Sequence, residues 1–229
     1  MFGIKTKINR LFKNCFCNSS FTNNTQITDL MLAFQADEHG HEANIKNIDL
    51  GYGWIHYGLI RQQKSKEILC IGSRHGYIPA ILAQACKDNH LGHVDFVDGG
   101  FGGDDKRAWT GTGYWKTKKG QSCFDYFGLG KYITLFVTIS IDFFKKYPDK
   151  TYDYIYIDGD HSYEGVSLDY KLFWPKLKKG GYMVFHDICV KGKKPEGIYG
   201  VWKLWKELKQ KYGGIEINYS NSGLGIIQK

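Results

Sequence analysis

No stretch of this chain approaches the roughly 18 consecutive apolar residues that a membrane-spanning helix needs, so membrane association is not expected. The six cysteines, Cys15, Cys17, Cys70, Cys86, Cys123 and Cys189, show neither CxxC pairing nor zinc-ribbon spacing. Cys70 lies inside a buried-strand pattern, where a reduced thiol serves as a small hydrophobe. A reducing, cytoplasmic compartment is therefore expected, with Cys15-x-Cys17 leaving a metal or lipidation site open as an alternative. Acidic residues are missing from the first segment, MFGIKTKINRLFKNCFC, which carries four basic ones. Those charges interrupt every apolar run, which argues against a signal peptide, and Phe2 excludes a myristoylation signal. Ile4, Ile8, Leu11 and Phe12 share one helical face, the pattern of a packed amphipathic terminus or of a weak membrane-surface helix.

What is present is an ordinary globular composition. With 229 residues, 42% hydrophobic and 24% charged, the chain suits one sizeable core and excludes disordered and fibrous classes. The net charge of +8 invites a nucleic-acid reading. The lysines, however, fall in scattered groups (Lys116, Lys118, Lys119; Lys176, Lys178, Lys179; Lys191, Lys193, Lys194), as on solvated loops. No nucleic-acid partner is expected, although a basic rim would attract an anionic substrate.

Residues 1–62 read as a polar, irregular N-terminal extension with short helices near Gln26 to Gln35 and Trp54 to Gln62. The intervening ADEHGHEANIKNIDLGYGW is a loop able to reach over a site as a lid, or a linker. Residues 63–229 read as one domain of alternating strands and helices. EILCIG, HVDFVD, KYITLFVTIS, YDYIYID and GYMVFHD are strands, and short continuous apolar runs of this kind mark strands buried on both faces. Tyr77 to Lys87, Tyr163 to Phe173 and Gly200 to Tyr212 are helices. IEINYS and LGIIQK close the chain as a hairpin. The pattern predicts an α/β fold: a doubly wound, mostly parallel seven-stranded sheet with a C-terminal antiparallel hairpin. Residues 99–130 form a Gly- and aromatic-rich insertion, a binding loop or a surface excursion. Its Trp109 and Trp115 suit stacking on a substrate ring, with loop packing as the alternative.

Two places carry chemistry. The turn after the first strand, Ile71-Gly72-Ser73-Arg74-His75-Gly76, lets backbone approach a ligand. The second strand ends in Asp98, placed to accept from ribose hydroxyls. This turn is not the GxGxxG of dinucleotide binders. The second place is the segment from Tyr152 to Ile188, where Asp158, Asp160 and His161 leave one strand and His186 and Asp187 leave the next. Ligands bind at the carboxyl ends of such strands.

From Glu67 onwards the chain resembles the class I S-adenosylmethionine-dependent methyltransferases. The resemblance implies that Gly72, Ser73 and Gly76 wrap the methionine part of the cofactor, that Asp98 binds the ribose, and that Ser140 or Asp142 lies near the adenine. The pattern IDGDHSYEG…D…W…L…GG…HD looks more specifically like the metal-assisted O-methyltransferases of sugars and glycosylated natural products. That likeness implies a divalent metal (Mg or Mn) held by Asp158, His186 and Asp187, with His161 as the base. His186 stands where the family usually has a carboxylate. Imidazole suits Mn²⁺, Fe²⁺ or Zn²⁺ better than Mg²⁺, so His186 is either a ligand to a softer metal or a supporting group. Asp160 is read as a helix cap.

A [DNS]PP[YFW] motif, usual in enzymes that methylate DNA amino groups, is absent, and no Pro precedes a Cys as cytosine C5 methylation requires. The expected partner is a small-molecule or glycan acceptor, and a homo-oligomer is compatible with the chain. Two alternatives stay open: methylation of an anionic phosphorylated or nucleotide-linked molecule, and a noncatalytic cofactor- or sugar-binding protein of the same fold.

Overall fold

The computed structural model describes residues 25–38, 40–100, 113–194, 197–218 and 221–229. The basic N-terminus with Cys15 and Cys17, and Trp109, lie outside them. Nine strands follow in chain order: β1 Glu67–Ile71, β2 His93–Asp98, β3 Ile133–Val137, β4 Tyr152–Ile157, β5 Leu177–His186, β6 Gly192–Lys194, β7 Gly197–Tyr199, β8 Ile215–Ile217 and β9 Leu224–Gln228. Seven of them form one sheet in the order β3-β2-β1-β4-β5-β9-β8, and β6 and β7 form a separate ribbon. Strands β1 to β5 are parallel, whereas β9 runs antiparallel to both β5 and β8. The fold expected from the sequence is the one observed.

The apolar runs become strands buried on both faces because successive side chains point oppositely. Ile68, Cys70, Phe96, Tyr154, Tyr156 and Val184 enter one core cluster. Their neighbours Leu69, Ile71, Val97, Ile155, Met183 and Phe185 enter the other. On the first face pack α1 (Thr25–Ala33), α2 (Tyr52–Gln63), α3 (Tyr77–Asn89) and α4 (Lys118–Tyr126). On the second pack α5 (Ser140–Lys146), α6 (Tyr163–Phe173) and α7 (Val201–Tyr212). Helix α7 buries Val201, Leu204, Trp205 and Leu208, one stripe at helical spacing. Leu30, Met31, Phe34, Leu50, Tyr52 and Ile60 from the N-terminal stretch sit in the first core cluster beside α3. Full burial of a large apolar side chain stabilises by about 1.5–3 kcal/mol, so this stretch contributes substantially to the fold.

Two elements differ from expectation. The third strand stops at Val137, where its partner β2 ends at Asp98 and no ladder remains, and Ser140 opens a short helix instead. The insertion contains α4, whose Thr117 cap accepts from the Gly120 amide and whose Phe124 is buried.

Candidate functional site

The parallel strands end nearly level. Ile71 is in register with Val97 on one side and Ile157 on the other, and Ile157 pairs with Phe185. The residues that follow them, Gly72, Asp98, Asp158 and His186, therefore converge on one edge. The strand order reverses at β1, and a cleft of about 900 Å³ opens there, as expected at the switch point of a doubly wound sheet.

One half of the cleft is the β1 turn. Gly72 adopts φ +70°, and a Cβ there would lie 2.2 Å from the Asp158 carbonyl oxygen, so only glycine fits. Gly76 (φ +85°) is pressed against the Trp115 ring, 2.5 Å from where its Cβ would be. Ser73 is buried and lines the cleft, and its Oγ has no hydrogen-bond partner among the described residues. A buried unsatisfied hydroxyl is costly unless a ligand meets it. The Asp98 carboxylate accepts from the Gly100 amide at 2.8 Å. Burial pushes its pKa up to about 6, against the pull of the Gly100 and Ser73 amides.

Ser140 lines the cleft as expected. Asp142 does not. In the first turn of α5 its side chain points outward, is 59% exposed and pairs with Lys145 at 3.8 Å. Trp115 is also displaced from its expected role. It is 1% exposed, lies parallel to Phe124 with ring centroids 5.8 Å apart, and donates its indole N–H to the Arg74 carbonyl at 3.0 Å. Trp115 is thus a core prop beneath the cofactor turn and forms no part of the acceptor wall.

The other half gathers the β4 and β5 ends. His161 Nε2 lies 3.3 Å from Asp158 Oδ1 and 3.2 Å from Asp187 Oδ2. Asp187 reaches this position from a left-handed backbone (φ +59°), one of the conformations that cluster at functional sites. Ser162 caps α6 by accepting from the Gly165 amide, so the expected cap is one residue pair further on than Asp160. Asp160 instead accepts from the Ser162 amide at 2.8 Å.

His186 is engaged on both ring nitrogens. It is 2% exposed, with Nδ1 3.1 Å from Asp158 Oδ1 and Nε2 3.1 Å from the Gly40 carbonyl oxygen. Carbonyl and carboxylate oxygens only accept, so both ring nitrogens carry protons. Burial alone would favour the neutral ring, but Asp187 and Asp158 outweigh it and raise the His186 pKa well above its ordinary value. Burial likewise opposes ionisation of Asp158, and the His186 charge with hydrogen bonds from His161 and His186 brings its pKa well below the usual range. The three-residue group whose ligand atoms lie within 4.8 Å of one another is Asp158, His161 and Asp187.

Gly40, His41 and Glu42 of the N-terminal loop line this half of the cleft. Ser222, in the turn before β9, donates to the Gly40 carbonyl oxygen at 2.6 Å, and the His41 ring packs 4.9 Å from that of His186. Sequence reasoning missed Ser222 and Tyr199. The Tyr199 ring lies parallel to His161, with centroids 4.8 Å apart and a 13° tilt. The GIYG context carried no signal for that contact.

A parallel sheet reversing at a glycine turn, with a buried carboxylate ending the next strand and a C-terminal hairpin, has the layout of a nucleotide-cofactor domain. The chain belongs to the methyltransferase-domain family, whose sequence model matches residues 69–188. It is 24% identical over 179 residues to Uncharacterized protein y4gI of Sinorhizobium fredii, an alignment covering 76% of this chain and 19% of that protein. The chain thus spans about a fifth of that relative. Its fold is similar to that of an O-methyltransferase from Bacillus cereus solved in complex with SAH (TM-score 0.60, 15% identity, 90% of this chain and 91% of that one). It is also similar to the O-methyltransferase TomG from Streptomyces achromogenes, involved in tomaymycin synthesis and solved with SAM (TM-score 0.59, 14% identity, 90% and 91%). No helix among the described residues is long and apolar enough to cross a membrane.

Proposed function

We propose that this domain transfers the methyl group of S-adenosylmethionine to a hydroxyl of a sugar or glycosylated small molecule, with His161 as general base. The observation that carries the reading is His161 Nε2, held between the Asp158 and Asp187 carboxylates beside the cofactor turn. The sugar reading rests on the IDGDHSYEG…HD resemblance and on the Tyr199 ring at the cleft wall.

The turn residues fit the cofactor. Gly72 and Gly76 permit close backbone approach, Ser73 Oγ has an unused bonding capacity for its amino-acid end, and Asp98 can accept from its ribose hydroxyls. A hydroxyl near neutral pH is a poor nucleophile. As its oxygen attacks the sulfonium methyl, the O–H proton passes to the His161 ring nitrogen turned away from the carboxylates, the C–S bond breaks and its electron pair stays on sulfur. The two carboxylates stabilise the imidazolium that forms, and general-base assistance of this kind contributes roughly 10²–10⁴ in rate.

The donor set also fits a divalent cation. Asp158, His161 and Asp187 would hold it, and two carboxylates with one imidazole suit Mn²⁺, Fe²⁺ or Zn²⁺ better than Mg²⁺. A bound cation would supply Lewis acidity to the acceptor hydroxyl. His161 would then be a ligand, so metal assistance and proton removal are alternative roles of one residue.

Labelled S-adenosylmethionine with a panel of hydroxylated and glycosylated acceptors, with EDTA or added Mn²⁺, tests the reading. His161→Ala should lower kcat by about 10²-fold or more, leaving S-adenosylhomocysteine affinity unchanged. Cofactor binding without any methylated acceptor would instead indicate a noncatalytic protein of this fold. Equal turnover by His161→Ala would remove the base from the mechanism.

A further inference from the structure

We infer that the acceptor carries an anionic group, a phosphate or carboxylate, and that Lys191 and Lys194 bind it at the mouth of the cleft. The inference rests on the methyl-transfer reading and names the acceptor's charge.

The chain leaving β5 builds this wall. Asp187, Cys189, Val190 and Lys191 line the cleft in succession. The β6–β7 ribbon then folds the chain back, so that Lys194 lines the same cleft and Tyr199 returns to His161. The Gly200 amide donates to the His161 carbonyl oxygen at 2.8 Å, tying the ribbon's far end to the base. Both lysines are therefore placed relative to His161 by a short frame held at each end.

Their charge is uncompensated. Lys191 and Lys194 are exposed, and among the described residues no carboxylate pairs with either. The Lys191 ammonium lies 5.2 Å from the Trp202 ring centroid, a cation–π contact that steadies it without neutralising it. The acidic lining residues lie elsewhere. Asp98 and Asp169 sit toward the turn and α6, Asp158 and Asp187 are engaged by His161 and His186, Asp160 accepts from the Ser162 amide at the start of α6, and Glu42 is on the opposite loop near Ser222. Lys191 and Lys194 thus make the wall built by the chain after β5 locally basic, while Arg74 is a cleft-lining cation beside the turn. Such a field draws anions inward, and lysine ammonium groups are well suited to phosphate or carboxylate as mobile point charges. Of the three lysine groups in the sequence, the one with Lys191 and Lys194 reaches the cleft, whereas Lys116, Lys118 and Lys119 do not line it.

The test titrates inorganic pyrophosphate, and separately citrate, into S-adenosylhomocysteine-saturated protein by calorimetry. Wild type should bind at least one of them, about tenfold more tightly than K191E/K194E and less tightly as salt rises. The milder K191Q/K194Q should fall between, and the surface control K118E/K119E should match wild type. Tighter pyrophosphate assigns a phosphate, tighter citrate a carboxylate. No binding of either near about 10 mM, or affinity unmoved by K191E/K194E, overturns the inference. Wild type failing to bind S-adenosylhomocysteine would sink the methyl-transfer reading itself. Cofactor binding without anion binding sinks only the lysine site.

Discussion

Replacing His186 by Gln should destabilise the fold out of proportion to the atoms removed. His186 is buried with Nδ1 3.1 Å from Asp158 and 3.4 Å from Asp187, and its imidazolium is the cation that keeps Asp158 ionised. Glutamine can still donate a hydrogen bond but leaves two buried carboxylates without that charge. Removing one partner of a buried ion pair costs about 3–5 kcal/mol. H186Q and D158N should each lose about 3 kcal/mol, the lower end, because His161 remains as a donor. The double variant D158N/H186Q should lose little more than either alone, a coupling of about 2 kcal/mol. Urea unfolding near neutral pH, followed by fluorescence and circular dichroism to verify a single transition, gives all four free energies. A loss below about 1 kcal/mol for H186Q, or losses that simply add, would show that His186 is not an internal cation.

Trp115→Ala should cost about 3–5 kcal/mol as a core truncation and weaken S-adenosylhomocysteine binding through the Gly76 turn. Acceptor KM should not move, and a selective rise in acceptor KM at unchanged stability would return Trp115 to the acceptor wall. Gly72→Ala should raise the S-adenosylhomocysteine Kd by about tenfold or more, because a methyl group there meets the Asp158 backbone at φ +70°; calorimetry showing wild-type affinity would contradict this. Burial, with His41 and His186 nearby, lowers the His56 pKa to about 3. The unfolded chain, titrating near 6.5, then holds the extra proton between those values, so stability is full above pH 6.5 and falls as pH drops. Relative to His56→Asn, wild type should lose about 1 kcal/mol of its advantage between pH 6 and 5 in urea unfolding. A flat difference would mean His56 is already charged in the folded state.

The sheet was legible because its strands are short apolar runs buried on both faces; β1, β2 and β4 were read close to their true bounds, whereas β5 begins at Leu177, ahead of the GYMVFHD run. So was the convergence of Gly72, Asp98, Asp158 and Asp187, since strand ends in a parallel sheet share an edge. The misreadings have local causes. Thr138 to Ser140 was read as the end of the third strand, but pairing stops at Asp98 and Val137, and Ser140 opens α5. Helix α4 holds a glycine in its first turn, Gly120, which lies tight against the Tyr114 backbone and donates to the Thr117 cap, and it shows little apolar surface. The status of His186 depends on the Gly40 carbonyl, 146 positions away, which no spacing rule reveals. The ribbon carrying Lys191, Lys194 and Tyr199 has two short strands without hydrophobic alternation, so it read as a loop.

The most direct test of the whole reading is calorimetric titration of S-adenosylhomocysteine into wild type and Asp98→Ala. Binding at one site with micromolar Kd, weakened about tenfold or more in Asp98→Ala, is the expected result. No binding by wild type, or equal binding by both proteins, would contradict the placement of the cofactor at the β1–β2 edge.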